Sequence, residues 1–109
     1  MLKHKTFVKS RTGTVLVSTV PAKHDVGGRM YYETMVFPVN AQGNPDTSTE
    51  LGRAENIKPK LARRAHRTLC QQFDVENRPY KFDDRAQRYV PVGDLPILSP
   101  GPRWVLALS

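Results

Sequence analysis

Lys58-Pro59-Lys60-Leu61-Ala62-Arg63-Arg64-Ala65-His66-Arg67-Thr68-Leu69-Cys70-Gln71-Gln72-Phe73 has the spacing of an amphipathic helix. Leu61, Ala62, Ala65, Leu69 and Phe73 recur at helical steps and make one apolar stripe. Lys60, Arg63, Arg64 and Arg67 occupy the complementary face, and no acidic residue interrupts them. Pro59 is tolerated in a first turn, where its missing N–H has no intrahelical acceptor. Asn56 or Lys58 is the expected cap. A helix with one apolar stripe needs a surface to bury it against, so the rest of the chain must supply a sheet.

Upstream, the residues supply one. Lys5 to Ser10 reads as a short strand centred on Phe7 and Val8. Arg11-Thr12-Gly13-Thr14 reads as a tight turn in which Gly13 is free to take a positive φ. Val15 to Val20 is rich in β-branched residues and reads as a strong strand, which Pro21 should close or mark as an edge. Gly27-Gly28 is a turn. Arg29 to Val39 is a third strand with Met30, Tyr32, Thr34 and Val36 on one face and Tyr31, Glu33, Met35 and Phe37 on the other. Both faces are substantially apolar, so alternation alone does not name the core face. A strand covered on both sides, or an oligomer interface, would explain the pattern.

Asn40 to Thr49 is a polar loop, and Glu50 to Asn56 a short strand or turn. Five of the nine prolines fall at or after Pro79, which argues against long regular elements there. Tyr80 to Phe82 and Arg88 to Val92 read as short strands, and Trp104 to Leu108 as a final strand. The expected fold class is α+β, with one domain spanning residues 1–109. It comprises a small antiparallel sheet (hairpin, third strand and C-terminal strand) with one main helix packed on it.

Composition bounds the function. Of 109 residues, 39% are hydrophobic and the formal net charge is +7, with a pI near 9.9 and a mean hydropathy of −0.52. The core is adequate but modest, which leaves a place for a partner subunit. The charge is uneven: residues 57–73 hold five basic and no acidic residues, whereas residues 31–56 hold one basic and four acidic. Such a field favours polyanions and acidic protein surfaces. A lone cysteine, Cys70, excludes an internal disulfide and fits a reducing compartment. No stretch approaches the roughly 18 apolar residues of a membrane span, and the first residues lack the apolar run of a secretory signal. The expected setting is the cytoplasm of a bacterial or phage-host cell.

Among candidate sites the basic helix face comes first. Four cations on one face repel one another with no i,i+4 acid to relieve them, and a polyanion would provide that relief. A solvated face that keeps the chain dispersed is the plainer alternative. Lys5, Lys9, Arg11, Lys23 and Arg29 could extend the patch. Tyr31, Tyr32 and Tyr80 have basic neighbours and could stack on bases, or lie half-buried on strands. His66 and Cys70 share a helix face at i,i+4. A metal site needs further ligands, and His4 and His24 lie on separate segments, so Cys70 reads best as a small buried hydrophobe. Asp74 with Glu76, and Asp83 with Asp84, read as turn formers. No catalytic motif, cofactor motif or metal-ligand spacing is present in the sequence.

Tyr32-Glu33-Thr34-Met35-Val36-Phe37, the turn at Gly43, Leu51, and a helix bearing Ala62 and Ala65-His66 together resemble a group of uncharacterised small phage and bacterial proteins. Their pattern is a Tyr-Glu-Thr-Met-Val-Phe strand, a turn, and a helix with Ala and Gly-His at the same spacing. Here Ala65 stands for the glycine, and the first helical turn is basic where the group's is acidic. The resemblance covers about residues 31–69. It implies a phage or mobile-element accessory protein in which strand and helix form one packed unit, and it carries over no functional residue.

The expectation is therefore a non-enzymatic binding module without cofactor. Nucleic acid, held by its phosphate backbone on Lys60, Arg63, Arg64 and Arg67, is the first ligand expected. An acidic host protein is the alternative partner, a homodimer is compatible with the third strand, and no membrane association is expected.

Overall fold

The computed structural model describes residues 2–24 and 26–92. Strands β1 (His4–Ser10), β2 (Gly13–Lys23), β3 (Met30–Pro38) and β4 (Gly52–Asn56) form one sheet in the order β1-β2-β3-β4, every pairing antiparallel. Helix α1 (Pro59–Phe73) follows. Strands β5 (Tyr80–Asp83) and β6 (Arg88–Pro91) make a separate antiparallel ribbon. The fold is thus α+β, as composition and periodicity indicate. The sheet's fourth strand is β4, read above as a strand or a turn; the expected strand at Trp104 to Leu108 lies outside the described residues. Among the described residues no helix is long and apolar enough to cross a membrane.

The β1–β2 hairpin closes at Gly13, whose φ of 125° is open to glycine and strained for other residues. Pro21 does not end β2; the strand continues to Lys23, and Pro21 pairs with Tyr32. The Thr14 carbonyl accepts from the Val39 N–H, so even-numbered residues of β2 turn their hydrogen-bonding groups toward β3. Odd-numbered Pro21 therefore points its nitrogen the other way, where β1 has already ended (His4 pairs with Thr19). No ladder bond is lost there, which is the condition for proline within a strand.

One face of the sheet packs on α1. Val8, Val15, Val17 and Val36 from the sheet join Leu69 and Cys70 from the helix, and Tyr80 and Tyr89 from the ribbon, in one buried cluster. This assigns the two faces of β3: Thr34 and Val36 are buried, whereas Met30 on the same side is 45% exposed beyond the helix. Gly52 lies under Phe73, and a Cβ there would sit 3.2 Å from the Phe73 ring and 3.3 Å from Val36.

The helix presents a slightly rotated stripe. Its buried residues are Ala62, His66, Leu69 and Cys70, while Leu61 is 42% exposed. His66 takes the place in the core that hydropathy gives to Leu61, because both ring nitrogens find partners there. Lys58 is the cap residue, without a side-chain hydrogen bond, and Asp74 closes the C-terminus, its N–H donating to the Cys70 carbonyl. The Asp74 carboxylate is buried. It accepts from the Glu76 N–H at 2.8 Å, Arg78 Nε at 2.9 Å and the Tyr80 hydroxyl at 2.7 Å.

Candidate nucleic-acid interface

Lys60, Arg63, Arg64 and Arg67 are all exposed. They line a shallow groove of about 200 Å³ together with Tyr89. Helical spacing places the four on one side because α1 buries the opposite side against the sheet. Among the described residues, none of them makes an ion pair; the pairs formed are those of Arg53 and Arg78. No acid stands in the first turn of α1 and no side chain caps it. The positive end of the helix dipole thus receives no anion from its own first turn.

A larger cleft of about 650 Å³ adjoins the groove, lined by Lys3, His4, Tyr32, Arg63, Phe82 and Tyr89 among others. Arg63 and Tyr89 border both. The cleft therefore opens where the N-terminal half of the helix, the start of β1 and the β5–β6 ribbon meet.

The strand cations do not all join this surface. Along β1, His4, Thr6 and Val8 are buried while Lys5, Phe7 and Lys9 are exposed. Thr6 contacts His66 of the helix, so Lys5 and Lys9 lie on the opposite face of the sheet. Arg11 lines a separate cleft near the C-terminal end of α1, with Gln72 and Phe73. Lys3, by contrast, reaches the cleft beside the helix.

Nor do the expected aromatics converge. Tyr31 stacks on His24 with centroids 4.3 Å apart, and Tyr80 is buried, donating to Asp74. Tyr32 does line the cleft, but its companions there, Phe82 and Tyr89, come from the ribbon. Their signal in the sequence is only the alternation of basic and aromatic residues in Lys81-Phe82 and Arg88-Tyr89.

His66 and Cys70 are both fully buried. His66 Nε2 lies 2.8 Å from Thr6 Oγ1, and Nδ1 lies 2.8 Å from Thr19 Oγ1, which in turn is 2.7 Å from Thr34 Oγ1. A neutral imidazole offers one donor and one acceptor, so one threonine donates to the ring and another accepts from it. Burial, with a smaller contribution from His4, lowers the His66 pKa to about 3. Burial pushes the Cys70 thiol up to about 12. The thiol stays protonated and the imidazole is occupied, so this pair offers neither an activated nucleophile nor open ligand atoms. Among the described residues no group of three or more His, Cys, Asp or Glu side chains is arranged to hold a metal ion.

No protein-family model matches the chain, and neither a curated protein nor a solved structure gives a significant match.

Proposed function

We propose that this chain is a non-enzymatic accessory protein, of phage or mobile-element type, that binds nucleic acid by its phosphate backbone through Lys60, Arg63, Arg64 and Arg67. The observation that carries the reading is the set of four exposed cations on one helix face, without an ion-pair partner among the described residues, around a common groove. Their mutual repulsion is relieved when they neutralise phosphates, which releases the counterions condensed on the nucleic acid. The uncapped helix N-terminus adds a favourable dipole for the same anion. The test is a salt titration of binding. Four phosphates neutralised on a duplex give a log–log slope near −3.6, from about 0.9 per phosphate, and on a single strand near −2.8, from about 0.7. Absence of binding at low salt would refute the reading.

A second reading rests on the opposite face of the sheet. Phe7 is 54% exposed there, between Lys5 and Lys9, and in register with Leu16, which is buried. An exposed aromatic edged by cations suits an acidic protein partner. The two readings separate by site: Phe7→Asp abolishes protein binding and leaves nucleic-acid binding intact, and helix substitutions do the reverse.

A further inference from the structure

The helix groove and the cleft beside it offer different chemistry. The groove presents charge and one ring. The cleft presents the half-buried rings of Tyr32 and Phe82 beside the buried His4 and Tyr89, with His4 centroids 5.0 Å from Phe82 and 5.6 Å from Tyr89. Burial first, and then the nearby Arg63 charge, hold His4 below its ordinary pKa. The inner wall is therefore aromatic and uncharged at neutral pH. Polar groups stand at the rim: Lys3 and Arg63, and the exposed Asp84 and Gln87. Gln87 Nε2 donates to the Asp84 carbonyl at 2.7 Å, which fixes that rim.

We infer that the cleft holds one unstacked base of a single strand whose phosphates lie along Lys60, Arg63, Arg64 and Arg67. This inference rests on the nucleic-acid reading above and specifies its ligand. Cations alone do not separate duplex from single strand. A duplex keeps its ring faces stacked, and extruding one costs unpairing as well as unstacking. A single strand presents ring faces at little cost, and aromatic side chains beside a cationic track are the usual means of holding them. A volume of about 650 Å³ lies within the range of small-molecule pockets and admits a base with its sugar. The Asp84 carboxylate disfavours a phosphate inside the cleft and can accept from an exocyclic amino group. Arg63, shared by cleft and groove, sits where the adjoining phosphate would pass.

The experiment compares three ligands on the full chain by fluorescence anisotropy at fixed salt: a 12-nucleotide single strand, the same strand with abasic residues, and its blunt duplex. The intact strand is expected to bind about tenfold tighter than the abasic strand, toward the lower part of the range for base–aromatic stacking, and tighter than the duplex. Tyr32→Ala should erase the ratio of intact to abasic affinity, whereas Arg64→Gln should weaken both strands equally. Equal binding of all three ligands overturns the cleft inference and leaves the backbone reading standing. No binding of any at low salt removes the backbone reading and the inference with it. The ligand comparison uses the unaltered protein, so it decides even if Tyr32→Ala does not fold.

Discussion

His66 Nδ1 lies 2.8 Å from Thr19 Oγ1 at a point where neither residue has any solvent exposure, and this hydrogen bond ties α1 to the second strand of the sheet. Thr6 holds the other ring nitrogen and Thr34 extends the chain of hydroxyls, so one histidine joins the helix to three strands. His66→Ala leaves a cavity and strands buried hydroxyls without partners. The expected loss is about 3 kcal/mol or more, read by chemical denaturation. A loss under about 1 kcal/mol would show that neither the hydrogen-bond network nor the packing of the ring contributes much to stability.

The same burial makes stability depend on pH. The folded-state pKa of His66 is about 3, below the ordinary 6.5, and that of His4 is also lowered, by burial and by Arg63. Below about pH 6.5 the unfolded chain binds protons that the folded chain refuses. Stability is therefore fully present above that pH and falls as pH drops through the window between 6.5 and 3. The slope is about 1.4 kcal/mol per pH unit for a histidine that stays neutral when folded. Between about pH 6.5 and 5 most carboxylates are still ionised, so the histidines dominate. A flat stability over that interval, or an NMR titration of the His66 ring near its ordinary pKa with the fold intact, would contradict this.

The helix and the first three strands were legible because their signals are local: a 3.6-residue period, β-branched runs, and Gly13 at a turn. What escaped depends on distant partners. Hydropathy ranks Leu61 above His66 for burial, but Thr6 and Thr19, far along the chain, make His66 the better core residue. The two faces of β3 look alike in sequence, and only α1 decides that Thr34 and Val36 face inward. Strand β4, Gly52 to Asn56, has Ala54 as its one apolar side chain, so no alternation decided between the strand and the turn that Glu50 to Asn56 allows. The helix cations were legible as a group because one helix carries them all. The cleft was not, since Lys3, Tyr32, Arg63, Phe82 and Tyr89 come from separate segments.

Asp74 is expected to matter more than its place after the helix suggests. Its side chain is fully buried beside the Arg78 guanidinium, and it also accepts from the Tyr80 hydroxyl, whose pKa burial raises. Asp74→Ala removes an acceptor for three donors and leaves Tyr80 unpaired in the core. The expected destabilisation is about 3 kcal/mol, in the range for breaking a buried charged network. Tyr80→Phe, which removes one hydrogen bond and keeps the ring, should cost about 1 kcal/mol. Equal effects of the two substitutions would rule out the carboxylate as the hub.

Cys70 should report on global opening. Its thiol is fully buried and pushed up to about 12 by that burial, so both access and thiolate are lacking in the folded chain. Modification by a thiol reagent at about pH 8, near the ordinary thiol pKa, should be negligible without denaturant and should rise with the unfolded fraction. Rapid stoichiometric labelling of the native protein would mean that α1 separates from the sheet far more readily than its packing indicates.

Substituting helix cations distinguishes an interface from a solvated face. Lys60→Gln with Arg64→Gln removes two charges from exposed positions where no ion pair is broken among the described residues. Stability should stay within about 0.5 kcal/mol of the parent, as for exposed sites generally, or rise by a few tenths as repulsion between neighbouring cations is relieved. Nucleic-acid affinity should fall uniformly across sequences, and the magnitude of the salt slope should drop by about 2, near one for each phosphate no longer neutralised. Unchanged affinity and slope, with the fold intact, would assign these cations to solvation. A slope that drops while stability also collapses would instead mean that the helix face supports the fold, a role its exposure argues against.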